Sequence, residues 1–363
     1  KYYRIDKFAV NSDKIAIFHH WILFKVILAC YDTCSELNRE VLLYQNYSKE
    51  QIKNIINNIE SINIDSYIIP LELNLGSIID YINNVLSYCN RKRCILLFDD
   101  AALVLSPQFL YEFLEIFKNF KTERIAPKAS VYQGTEYKNP RVHIHQEGNL
   151  INSWIKVEDE EYLSYLKDIY NKRFPKANIE DDVIEYFAFA SFGITRAFIS
   201  YIEQYLTSPK ISNQSLINSI LTQSSKLIES EHLSMKIKKP QFEIVIQKSW
   251  EFFIKITEIV KNENKKTEFK KVKISFEEDI SRNLLIDRML DLLIESGLLF
   301  KDKNVSHGSD RKYDVYIPNY LFLINNKTFS TGRGTRSEIL SKIKLKHEKH
   351  AIRRKFEFII PSI

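Results

Sequence analysis

One short stretch places residue types where metal and phosphate chemistry needs them. Ile95-Leu96-Leu97-Phe98 runs without interruption into Asp99-Asp100. An apolar run without alternation fits a strand covered on both faces, as at the centre of a parallel sheet. Such a strand delivers the residues that follow it at the edge where α/β sheets bind ligands. Asp99 is then placed to hold the water shell of a Mg²⁺ ion, and Asp100 to orient an attacking water. The same residues would also suit a strand that ends in an Asp-capped turn.

A second stretch, Ala190-Ser191-Phe192-Gly193-Ile194-Thr195-Arg196, sets a glycine turn before a helix whose first turn carries an arginine. On its own it reads as a turn followed by a surface arginine. The four cysteines fall in two pairs, Cys30 and Cys34 at i,i+4 of an apolar helix, Cys89 and Cys94 around Arg91-Lys92-Arg93. With no CxxC and no histidine at finger spacing, they read as reduced, buried thiols rather than a zinc site. His143 and His145 alternate in Arg141-Val142-His143-Ile144-His145 without an acid or cysteine at useful spacing. They read as loop or interface residues.

Charge is unevenly placed. The net charge is only +6, yet from residue 261 onward there are 22 Lys and Arg against 14 Asp and Glu. The basic excess therefore lies in the last hundred residues, as in a domain that faces a polyanion. A solvated Lys-rich surface is the competing reading. Hydrophobic residues at 45% and charged residues at 27% exclude a disordered chain. No apolar run reaches the roughly 18 residues of a membrane span. The stretch 15–31 comes closest and is interrupted by His19, His20 and Lys25. A cytoplasmic protein that does not engage a membrane is expected.

The elements that would position these residues follow from periodicity and caps. A short strand at 2–5 and a long helix at 12–37 precede helices at 49–59 and 75–88. The strand 94–98 follows, then a helix at 106–120 opened by Ser106-Pro107, then a strand at 129–133. This order predicts an α/β fold, a three-layer domain over about 1–157. Residues 158–240 read as purely helical. After a helix at 243–261, an amphipathic helix at 281–296 stops at Gly297. Leu298-Leu299-Phe300 and 313–317 then read as a two-stranded wing around a basic loop, so 241–363 is expected to be a winged helix.

Taken in this order, the parts resemble the replication-initiator (origin-recognition) branch of AAA+ ATPases, and more closely its bacterial relatives. The resemblance spans nearly the whole chain, although each motif is short. It implies a P-loop NTPase core with a helical lid and a C-terminal winged helix. Asp99 matches the Mg²⁺-organising acid of the Walker B motif, and Asp100 stands where most members have a catalytic Glu. Arg196 matches sensor 2, the lid arginine that reports the γ-phosphate. A polar sensor 1 is expected within Val131-Tyr132-Gln133-Gly134-Thr135, at Gln133 or Thr135. Arg124 and Arg141 stand where an arginine finger for a neighbouring subunit would lie.

Two departures qualify what the resemblance implies. Asp100 is one methylene shorter than Glu, which would slow or abolish hydrolysis. The phosphate-binding motif GxxxxGK[ST] is nowhere in the sequence. ATP binding with Mg²⁺, and any ATP hydrolysis, are therefore expected only if a P-loop precedes residue 1, and the first residue is Lys rather than Met. The expectation is a nucleotide-switched, homo- or hetero-oligomeric subunit of a bacterial DNA-associated system, in genome defence or mobile-element control. Lys301, Lys303, Arg311 and Lys312 would touch the DNA backbone. A catalytically inactive AAA+ scaffold and a winged-helix transcription regulator are the alternatives.

Overall fold

The computed structural model describes residues 12–61, 73–99, 107–131, 148–208, 213–238, 240–266, 270–277, 284–302, 305–306, 312–330, 335–344 and 352–354. The chain forms two compact units, Lys1–Leu150 and Ile151–Ile363.

In the first unit, α1 (Ser12–Glu36), α2 (Lys49–Glu60), α3 (Leu75–Tyr88), β1 (Cys94–Phe98), α4 (Pro107–Asn119) and β2 (Ile125–Ala129) follow in order. Capping boxes start two helices: Ser48 with Gln51 before α2, and Asn74 with Ser77 before α3. Each satisfies two backbone donors that a helix start leaves open. α2 buries Ile52, Ile56 and Ile59 on one face. α1 has the length and apolarity of a membrane span between Lys14 and Glu36. Phe18, Phe24 and Tyr31 of α1 instead lie fully inside this unit's core. The buried Tyr31 hydroxyl is satisfied, donating to Tyr47 O at 2.8 Å and accepting from Tyr44 N at 2.9 Å.

β1 and β2 pair in parallel, from Cys94 against Ile125 to Phe98 against Ala129, with α4 as the crossover. Leu96 and Ile125 join the helical core, and Phe98 sits among Phe113, Phe117 and Phe120. The opposite face differs from the sequence-based expectation of cover on both sides. Ile95 is 57% exposed and Leu97 76% exposed. Among the described residues this sheet has two strands, and the core packs against one face only.

The second unit contains α5 (Tyr162–Arg173), α6 (Asp181–Ala190), α7 (Thr195–Thr207), α8 (Asn213–Lys238), α9 (Glu243–Lys266), β3 (Ile274–Glu277) and α10 (Leu284–Glu295). It continues with β4 (Leu299–Lys301), β5 (Val305–Ser306), β6 (Lys312–Pro318), α11 (Tyr320–Asn325), α12 (Arg336–Lys344) and β7 (Ile352–Arg354). The sheet order is β4-β6-β3-β7, with β5 also on β6. β4 and β6 are the antiparallel pair read as a wing, and β3 adds a strand on the far side of β6. Gly297 ends α10 at φ +67°, with Leu298 N donating to Leu293 O at 2.9 Å. A left-handed residue there closes the last helical turn, which is why glycine is the stop.

The expected division at 240 does not separate two bodies. Phe187 and Phe198 from the helical stretch share one core with Phe252, Leu293 and Tyr320. The first division falls at 150/151 rather than 157. The reason is Trp154: its ring meets Phe192 at 5.3 Å and Phe300 at 5.0 Å, and its indole donates to Phe192 O at 2.7 Å. A half-buried aromatic of that size holds its segment to the second core.

Candidate functional site

The register that pairs Phe98 with Ala129 carries on by one residue, setting Asp99 beside Ser130 at the carboxyl edge of the two strands. Ser130 N donates to Phe98 O at 3.0 Å, which fixes the backbone there. The Ser130 hydroxyl donates to Asp99 Oδ1 at 2.8 Å. Both residues are exposed. An exposed carboxylate is a ligand type that Mg²⁺ takes, since this ion is bound through one or two carboxylates and keeps several waters.

Ser130 is the residue the sequence reading missed. The sequence places the strand at 129–133, whereas it is Ile125–Ala129, with Pro127 inside it. Proline lacks the N–H a ladder needs and is confined to strand edges, so the pattern pointed away from the true strand. Asp100, Gln133, Thr135, Arg141, His143 and His145 lie outside the described residues. Arg124 donates back to the carbonyls of Lys92 and Arg91 at 3.4 and 3.3 Å.

Arg196 is exposed on the first turn of α7, in the second unit. The turn before it has a packing cause. Phe192 and Gly193 adopt φ of 54° and +80°. A Cβ on Gly193 would stand 2.2 Å from Ile155 O and 2.5 Å from Trp154 Nε1. The glycine is therefore required by the approach of 154–155, whatever Arg196 does.

The cations read as DNA contacts are in part committed elsewhere. Lys301 Nζ lies 2.9 Å from Asp314 Oδ1, whose residue is 2% exposed, and 6.0 Å from the Tyr316 ring centre. Lys303 and Arg311 lie outside the described residues, as does the side chain of Lys312, whose backbone pairs with Ser306. Arg336 of α12 binds Glu180 at 2.9 Å and Asp182 at 2.7 Å, and Lys344 binds Glu185. Lys273 bridges Glu158 at 2.9 Å and Asp302 at 2.6 Å. Burial alone would lower its pKa, but those two acids raise it above the ordinary lysine value.

His232 is buried in this unit, 1% exposed. Its Nδ1 meets Ser296 Oγ at 2.7 Å and its Nε2 meets Ser249 Oγ at 2.8 Å. Burial pushes it down to about 4. It is a neutral ring joining α8, α9 and the residue after α10. Among the described residues no three His, Cys, Asp or Glu side chains form a metal site.

No family model, curated protein or solved structure matches this chain. The account of its function therefore rests on the geometry alone. That geometry places an exposed carboxylate, Asp99, beside the Ser130 hydroxyl at one strand edge. The phosphate-binding motif GxxxxGK[ST] is absent from the 363 residues.

Proposed function

We propose that the first unit is a nucleotide-handling α/β module of the AAA+ kind, and that the chain is a nucleotide-switched subunit of a DNA-associated assembly. The observation that carries this reading is the Asp99–Ser130 pair, hydrogen-bonded at 2.8 Å at the carboxyl edge of two parallel strands. Open α/β sheets bind ligands at that edge. Asp99 would hold the water shell of Mg²⁺, and Ser130 would keep the carboxylate turned outward. A bound Mg²⁺·nucleotide supplies a divalent charge that makes the edge respond to phosphate. No hydrolytic step is assigned to this chain's residues.

Two further features support parts of the reading. The basic excess after residue 261, with the β4–β6 pair, supports contact with DNA phosphates. The Lys301 charge is balanced by Asp314, so Lys303, Arg311 and Lys312 are left as the contacts. Ile95 and Leu97, exposed on β1, favour a second reading: a scaffold that uses this sheet face for assembly and leaves nucleotide unbound. Calorimetric titration of the full-length protein with ATP and ADP separates the two. Binding in Mg²⁺ that disappears in EDTA is expected, and no binding under either condition would leave the scaffold.

A further inference from the structure

The two cysteine pairs lie far apart in sequence and converge in the first unit. Cys30 and Cys34 are on α1, Cys89 caps α3 and Cys94 opens β1. Cys34 Sγ stands 3.9 Å from Cys89 Sγ, across 55 residues of chain. Burial first, then the proximity of Cys94, Cys34 and Cys89, pushes the Cys30 thiol up to about 12. Cys30 is thus within electrostatic reach of the other three. The group does not form a metal site. What the geometry offers is one close pair.

We propose that Cys34 and Cys89 are an oxidation site, a thiol pair that a peroxide closes to a disulfide, fastening α1 to the end of α3. Cys89 reacts first, because it is 7% exposed at a helix end while Cys34 is 0% exposed. Its thiolate attacks one peroxide oxygen, and the O–O bond breaks. The other oxygen leaves as hydroxide, becomes water with the thiol proton, and a sulfenic acid remains. The Cys34 sulfur then attacks the Cys89 sulfur and the S–O bond breaks. Hydroxide departs and takes the Cys34 proton as a second water. Two thiols and one peroxide give one disulfide and two waters, with one electron lost by each sulfur. The sulfurs must close from 3.9 Å to about 2 Å for the bond to form.

The test maps disulfides in the full-length protein. Reduced protein is treated with hydrogen peroxide, blocked with an alkylating agent, digested without reductant and analysed by mass spectrometry. The expected result is a Cys34–Cys89 cross-linked peptide, loss of two of the four free thiols, and full reversal by dithiothreitol. Cys30→Ser and Cys94→Ser should retain the cross-link, while Cys34→Ser should lose it and accumulate oxidised Cys89. The denaturation midpoint of the oxidised protein should rise, because the bond closes a long loop of the unfolded chain. The proposal is overturned if the folded chain keeps four thiols under conditions that oxidise it in urea. It is equally overturned by a Cys30–Cys94 product, or by sulfinic acid on Cys89 without a cross-link. The wild-type map decides the matter even if a serine variant fails to fold.

Discussion

In the unit Ile151–Ile363, charged side chains are turned on one another: Lys301 on Asp314, Lys273 on Glu158 and Asp302, Arg336 on Glu180 and Asp182. In the unit Lys1–Leu150, Asp99 and Ser130 stand exposed at the edge of a small parallel sheet, beside a face that leaves Leu97 76% exposed. Ion pairs occur in both units, Lys25 with Glu60 and Lys49 with Asp32 in the first, but Asp99 differs in being exposed at a strand edge. A buried or half-buried ion pair that loses one partner costs stability, whereas an exposed carboxylate is nearly neutral to the fold. Polar substitutions in the second unit should therefore lower stability. At the β1–β2 edge they should alter binding and leave stability intact.

The largest effect is expected at Gly193. In Gly193→Ala the new Cβ meets a backbone carbonyl at 2.2 Å, at a φ of +80°. The loss should be about 4 kcal/mol or more in urea denaturation, since neither the carbonyl nor the Trp154 ring can yield cheaply. A loss under about 1 kcal/mol would mean that 154–155 is not packed on this turn.

His232 comes next and acts through pH. Its folded value is lowered, so between about 4 and the ordinary 6.5 the unfolded chain binds the extra proton. Stability from this group is complete above 6.5 and is lost as pH falls toward about 4, by about 3 kcal/mol in all. Denaturation midpoints measured from pH 7 to pH 4 should fall more steeply for the wild type than for His232→Gln. Equal slopes would remove His232 from the account.

Lys301→Ala should cost about 2 kcal/mol, because it removes the cation 2.9 Å from the Asp314 carboxylate, which is 2% exposed, while Lys301 itself is partly solvated. Its duplex-DNA affinity should stay within twofold of wild type. Replacing Arg311 and Lys312 with Ala should instead lower the salt slope of DNA binding by about one to two. If Lys301→Ala weakens DNA binding as much as that pair does, the internal pairing does not neutralise it.

Local signals made much of the fold legible. The helix Leu75–Tyr88 and the strand Cys94–Phe98 have the bounds that periodicity predicts, and Gly297 stops its helix as a left-handed residue should. What escaped depends on distant partners. β3 is too short and too mixed in composition to announce itself, and exists because β6 and β7 flank it. The division near 240 looked natural at a Lys-rich break, yet Phe187 and Phe252 share one core across it. Of the site, Asp99 was legible as the acid ending an apolar run. Ser130 was hidden by Pro127, and the meeting of Cys34 with Cys89 depends on how α1 and α3 pack.

The effect expected to be smallest on stability is also the most direct test of the account. Asp99→Asn keeps the size of the side chain and can still accept from Ser130, but it removes the charge that a Mg²⁺ water shell needs. Calorimetric titration with Mg²⁺·ATP should show affinity at least tenfold below wild type, with a denaturation midpoint unchanged within error. Wild-type affinity in Asp99→Asn would contradict the assignment of this edge as the nucleotide-handling site.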